Sequence, residues 1–266
     1  MTTNHPVEPR SGDQTAKSNE RTGVALADQT ISNPQSANPH INGEYLRKNP
    51  DWHVDSSAWK AVEIMKMLDR HHIAPTTIGE VGCGAGEVLR QVQLKMRPEC
   101  NFFGYDISPQ AIEMSKSREN DRLHFAIADV CTAATPPLDL LLILEVVDHV
   151  EDYFGFLRAL KPKSTYKLFH LSLDLSVQNA IRSGALLKQR DVYVHLHYFS
   201  KETMLRTLEE TDYEILDYFY TPYGIRFARG RFGRWVLKPL RWLLFQINKD
   251  FAVRLLGGYR LMVLTR

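Results

Sequence analysis

Apolar residues along this chain follow two rhythms: continuous or alternating runs in some stretches, and a period near 3.6 in others. Leu138 to Leu144 is leucine and isoleucine apart from Asp139, the pattern of a parallel strand buried on both faces. Three shorter β-leaning runs precede it, at residues 75–79, 101–106 and 123–127. After the first of these, Val88, Leu89, Val92 and Met96 mark one face of a helix over residues 87–96, which Pro98 stops. Ser108 and Pro109 supply an N-cap and a first-turn proline for a helix over residues 109–118. Further helices are expected over about 56–71, from within 145–152 onward, and over 201–210 behind a Ser200 cap. Four strand-then-helix units predict an α/β fold with a doubly wound sheet.

Polar residues break this pattern at the strand ends. The run Glu80-Val81-Gly82-Cys83-Gly84-Ala85-Gly86 places an acid and alternating glycines between a strand and a helix. Glycines let the backbone turn sharply and approach a ligand closely, and the following helix N-terminus offers free N–H groups. The spacing is G-x-G-x-G, with Glu87 where the third glycine of a G-x-G-x-x-G fingerprint would fall. That argues against a dinucleotide pyrophosphate and for a ligand with a positive centre, which Glu80 complements. Asp106 ends the next strand, where a carboxylate can accept both hydroxyls of a ribose. Asp129 follows the third strand in the same way.

On these residues the chain resembles the class I S-adenosylmethionine (SAM) dependent methyltransferases, whose first motif is an acid followed by G-x-G-x-G. The resemblance covers about residues 43–266 and is to a bacterial branch of the small-molecule type. It implies a Rossmann-like, seven-stranded doubly wound sheet, with residues 259–265 as the late antiparallel strand. It also implies SAM as cofactor, held by Glu80, Gly82, Cys83, Gly84, Gly86, Asp106, Ile107, Asp129, Val130 and Glu145. The expected activity is methyl transfer to an oxygen or nitrogen of a small molecule, such as a sugar, a glycan precursor or a secondary metabolite. A non-catalytic SAM-binding protein is the alternative.

Chemistry is expected after the fourth strand, in Glu145-Val146-Val147-Asp148-His149. An acceptor hydroxyl or ammonium must lose a proton, and a histidine titrating near neutrality suits that task. His149 matches the histidine of the family's acid–His motif, a base in some members and a structural residue in others. Between Asp191 and Phe199 polar and apolar residues alternate, so an extended chain would set Asp191, Tyr193, His195 and His197 on one face. The insertion over 174–198 is expected to cover the active site, with His195, His197 and Tyr198 reaching the acceptor. Val194 stands where the branch usually carries glycine. His195-x-His197 alone lacks a third ligand, so no metal is expected.

Residues 1–42 are read as a disordered tail, since residues 1 to about 40 hold no Phe, Tyr or Trp and cannot offset their ordering entropy. No apolar h-region marks a secretory signal, and the tail's acids count against a transit peptide. Residues 43–266 form the methyltransferase domain: a lid over 43–74 with Tyr45, Trp52, His53 and Trp59, a core over 75–173, the insertion, and a C-terminal part with a cap over 199–266. For Trp59 plain packing is the favoured reading. Three cysteines, Cys83, Cys100 and Cys131, without metal spacing suit a reducing cytoplasm. A net charge of +2 does not call for a nucleic-acid partner. Eight Lys or Arg stand against Asp250 between Arg226 and Arg254, interleaved with Trp and Leu. A basic helix of that kind can lie in a membrane interface, as for a lipid-linked substrate, but Pro239 breaks it and favours a cap over the sheet. The oligomeric state is left open.

Overall fold

A computed structural model of the protein describes residues 38–227 and 238–266. The tail over 1–37 and the stretch 228–237 of the basic segment lie outside the described residues. Seven strands form one sheet: β1 (Thr77–Val81), β2 (Asn101–Asp106), β3 (Leu123–Ile127), β4 (Leu138–Leu144), β5 (Ser164–Ser172), β6 (Ile215–Thr221) and β7 (Arg260–Thr265). Their order is β3-β2-β1-β4-β5-β7-β6, parallel as far as β5, with β7 antiparallel to both β5 and β6. The described helices are α1 (Glu44–Lys48), α2 (Ser57–Arg70), α3 (Glu87–Gln93), α4 (Pro109–Ser115), α5 (Tyr153–Leu160), α6 (Val177–Ile181), α7 (Ala185–Tyr193), α8 (Lys201–Glu210), α9 (Tyr223–Arg226), α10 (Lys238–Ile247) and α11 (Lys249–Leu256).

The leucine run of β4 explains the two layers. Leu140, Leu142 and Leu144 face one core with Ile64 and Met67 of α2 and Leu89 and Val92 of α3. Leu141 and Ile143 face the other, with Leu157 of α5, Met204 and Leu208 of α8 and Val253 of α11. A period of two thus divides one strand between two cores, and each buried leucine contributes about 1.5–3 kcal/mol. The polar residues of this central region are left to the strand ends, so the ligand-type acids gather at one edge.

Some boundaries differ from the sequence reading. Helix α3 ends at Gln93 instead of Met96, and the chain closes in turns, with the Lys95 and Met96 amides both donating to Val92 O. Residues 38–42, assigned to the tail, form turns, and His40 packs against Tyr45 with ring centroids 4.5 Å apart. Residues 191–199 are not one extended strand: Asp191 to Tyr193 complete α7, whose Ala, Leu, Lys, Gln and Arg are good helix formers. Pro239 sits in the first turn of α10, where its missing N–H is not needed. Phe245 of α10 stacks on Tyr259 at 4.9 Å, as a cap would, while Trp242, Leu243 and Ile247 are exposed. No described helix is long and apolar enough to cross a membrane.

Phe169 lies at the centre of the second core with no exposed surface. Phe169→Ala is expected to cost about 3–5 kcal/mol, read as a lower midpoint in urea unfolding.

Candidate functional site

The switch point of this sheet lies between β1 and β4, where neighbouring connections leave in opposite directions and open a crevice at the carboxyl ends. Five of the ten expected cofactor contacts, Glu80, Gly82, Cys83, Gly84 and Glu145, line one cavity there, beside Tyr45, Trp52, His53 and Lys60. Gly84 has φ of +54°, and a Cβ on it would stand 2.4 Å from the Trp52 ring, so the indole lies directly on the loop backbone. Asp106 stands behind the loop and joins it to the next turn, accepting from Gly84 N at 2.9 Å and Ser108 N at 2.8 Å. Gly86 is the left-handed N-cap of α3. Ile107 and Asp129 lie exposed outside the cavity, and Val130 turns its side chain into the second core.

Glu80 is buried, and its Oε2 has no hydrogen-bond partner. Burial pushes its carboxyl up to about 8, with Asp106 and Glu145 adding to the rise and Lys60 opposing it. A buried acceptor without a donor is rare in folded proteins and fits a ligand that brings a positive donor, such as an ammonium group. On that ground the residues present fit the amino-acid end of SAM.

Glu145 takes a left-handed conformation, φ +60°, at the end of β4. Its Oε1 meets Lys60 Nζ at 3.0 Å, His170 Nδ1 at 3.0 Å and the Arg260 guanidinium. Burial alone would raise this carboxyl, yet Arg260, Lys60 and His170 hold it well below its usual range. His170 reaches on to Thr221 Oγ1 at 2.8 Å. Trp59 packs against His170, Tyr223 and Phe227, so it braces the fold instead of lidding the cavity.

The second polar group lies one turn further along. Asp148 and His149 sit in a short 3-10 turn, Val147–His149, and the amides of Leu196 and His197 donate to Asp148 O at 2.7 and 3.2 Å. These two bonds carry His195 to Asp148. Its Nε2 is 3.2 Å from Asp148 Oδ2, and its Nδ1 is 2.7 Å from Asp174 Oδ2. The first contact is close enough for an ion pair but lacks hydrogen-bond geometry, so Asp148 Oδ2 counts as unpartnered. Burial works against charge on His195, but the bond to Asp174 and the charge of Asp148 raise its pKa overall. His149, whose pKa burial lowers, donates from Nδ1 to Val194 O at 3.2 Å, because a carbonyl can only accept. His197 is not brought to this group. Its Nε2 bonds Glu151 O at 3.1 Å and its ring meets Tyr153, while Tyr198 donates to Leu186 O.

Val194 itself has φ +62°, a conformation costly for a β-branched residue. Trp52, His53 and Glu145 share positive φ, so four of the six such non-glycine residues described border the site. Sequence reasoning missed Asp174 as a partner and His40, whose ring lies 5.1 Å from His149. Asp174 carries a weak signal, an acid just beyond a strand end. His40 carries none, because Asn-Pro-His-Ile-Asn-Gly reads only as a loop.

Burial lowers the pKa of His170 from 6.5 to about 4, against the pull of Glu145. Unfolded chains therefore bind a proton there that the folded state refuses, so stability is full above about pH 6.5 and falls toward pH 4. The loss is expected to reach about 3 kcal/mol. Urea midpoints measured from pH 7 to 4.5 should show it, and His170→Gln should flatten the dependence while lowering stability at pH 7.

Residues 80–163 match the sequence model of the methyltransferase domain family. The O-methyltransferase 3 of Dictyostelium discoideum is 27% identical over 115 residues, covering 40% of this chain and 26% of that protein, about a quarter of its length. Human N-acetylserotonin methyltransferase, solved with SAM, superimposes with a TM-score of 0.56 at 16% identity, over 87% of this chain and 58% of that one. The plantazolicin methyltransferase BpumL, solved with SAH, gives a TM-score of 0.52 at 18% identity, over 89% of this chain and 91% of that one. Sequence and topology agree: residues 80–163 match a methyltransferase-domain family, and the seven-stranded sheet has the fold shared with these SAM- and SAH-bound methyltransferases.

Proposed function

We propose that the protein transfers a methyl group from SAM to an oxygen or nitrogen of a small molecule, such as a sugar, a glycan precursor or a secondary metabolite. Glu80 carries this reading: a buried, unpartnered carboxyl oxygen in a glycine-walled cavity suits the ammonium group of the cofactor. Asp106, behind the loop, is the natural acceptor for the ribose hydroxyls. Ile107, Asp129 and the backbone at Val130 lie along the same edge for the adenine.

In methyl transfer the acceptor lone pair forms a bond to the methyl carbon as the carbon–sulfur bond breaks, leaving a neutral thioether. The protein's part is to align the two molecules and exclude water. Trp52 and Tyr45, whose rings lie 5.0 Å apart, roof the cavity for that purpose. Tyr45 also lies 6.2 Å from His149, so it stands between the cofactor cavity and the Asp148–His149–His195 group. There the acceptor meets polar side chains as it gives up its proton.

Calorimetry of the purified chain should show binding of SAM and S-adenosylhomocysteine but not NAD. Asp106→Ala should weaken both by about 10- to 100-fold, the worth of its charged hydrogen bonds. Glu80 is protonated at pH 7 when its pKa is about 8, and an ammonium beside it favours the carboxylate. SAM binding at pH 7 is thus expected to release a proton, seen as a dependence of the heat on buffer ionisation and lost in Glu80→Gln. Preference for NAD, or no SAM binding, would overturn the reading.

With an acceptor identified by screening, His149→Ala should lower kcat by about 10²–10⁴-fold and leave SAM affinity nearly unchanged. Unaltered kcat in this variant would make His149 a structural residue.

A further inference from the structure

The group beyond Tyr45 has a feature that proton transfer alone does not require. Both of its imidazoles are oriented from behind. His195 is 2.7 Å from Asp174 Oδ2 through Nδ1, and His149 donates from Nδ1 to Val194 O. Each therefore turns Nε2 toward the same carboxylate, at 3.2 Å from Asp148 Oδ2 for His195 and 4.0 Å from Asp148 Oδ1 for His149. A carboxylate or carbonyl holding the far nitrogen of an imidazole is the usual support of a metal-binding histidine.

One ligand atom from each of Asp148, His149 and His195 lies within 4.8 Å of the others. Donors about 2.1 Å from a shared cation stand roughly 3 to 4 Å apart, so little movement is needed to close on one. Two further observations point to an unfilled position among these groups. Asp148 Oδ2 and His40 Nε2 are both buried without a hydrogen bond, and His40 packs edge-on against His149. Among the described residues, neither Asp148 nor Asp174 has a Lys or Arg at ion-pair distance. Asp148 and Asp174 thus share His195 between them, and Asp148 also faces His149.

We propose that Asp148, His149 and His195 bind a single divalent transition-metal cation, with Asp174 and Val194 O as the groups that orient the imidazoles. Two imidazoles and a carboxylate favour zinc, iron, cobalt or nickel over magnesium and calcium, which prefer oxygen alone. Three protein ligands leave a coordination position open. An oxygen or nitrogen of the acceptor would fill it. The sequence expectation of no metal weighed only His195 and His197; in the proposed site the second histidine is His149 of the strand-end motif, and His197 takes no part.

Occupancy does not depend on the proposed methyl transfer, because it is read with neither SAM nor acceptor present. The full chain without a histidine tag is stripped with a chelator and titrated with Zn²⁺ by calorimetry, with Mg²⁺ as control. Bound metal is counted by mass spectrometry after dialysis. One Zn²⁺ per chain is expected, with far weaker Mg²⁺ binding. His195→Gln and Asp148→Asn should abolish it, Asp174→Asn should weaken it about 10- to 100-fold, and His197→Ala should leave it unchanged. Circular dichroism establishes that each variant is folded, and His149→Gln serves where one is not. Absence of stoichiometric Zn²⁺, or binding that survives both Asp148→Asn and His195→Gln, overturns the proposal. So does an NMR spectrum in which His195 stays a doubly protonated bridge between Asp148 and Asp174 with Zn²⁺ in excess.

Discussion

A buried carboxylate must be matched by positive charge or hydrogen-bond donors, and Glu145 imposes that demand on the whole carboxyl edge of the sheet. Its partners come from α2 through Lys60, from β5 through His170 and from β7 through Arg260. His170 extends the network to β6 through Thr221, and the Arg260 guanidinium lies 3.4 Å from the centroid of the Tyr223 ring. One residue at the end of β4 thereby fixes α2, the late antiparallel strands and the floor of the cavity relative to one another. Hydrophobic burial supplies most of the stability of this domain, but it is indifferent to which polar atoms meet. The charged network supplies that choice.

The same network sets the electrostatics of the cavity. Glu145 is held ionised by three partners, while Glu80 close by has none for its Oε2 and stays mostly protonated near neutrality. Two carboxyls thus line the cavity, one satisfied and one with an oxygen that has no partner, and the second is the one the proposed ammonium group would meet. Further along, Asp148 and Asp174 divide His195 between them, so the polar character of the site continues past Tyr45 without a Lys or Arg at ion-pair distance from either acid among the described residues.

How much of this could be read from the chain differs between the two halves of the site. The cofactor half is local: strand, glycine loop and helix are contiguous, and Glu80 and Asp106 stand at predictable strand ends. The leucine run of β4 and the caps at Ser108 and Ser200 likewise rest on neighbouring residues, and the structure bears them out. The proposed acceptor half is assembled across distance. His195 reaches Asp148 because two amides of the insertion bond to the Asp148 carbonyl, and no periodicity encodes that link. Alternation over residues 191–199 suggested a strand, but helix propensity in 185–193 won, and beyond the helix His195 and His197 take different partners. His40 is placed by packing alone, from a segment whose composition reads as tail or loop.

The insertion over 174–198 is fastened chiefly near its two ends, by Asp174 at its start and by the Leu196 and His197 amides at its close, with α6 and α7 between. Such an arrangement is modular. The stretch between the anchors can change in length and character while the sheet, the glycine loop and the cofactor cavity keep their shape. On the proposed reading, a change there would alter the acceptor side and leave the donor side as it is. For an engineer, a segment grafted between the anchors would then test a new acceptor without disturbing the sheet or the glycine loop.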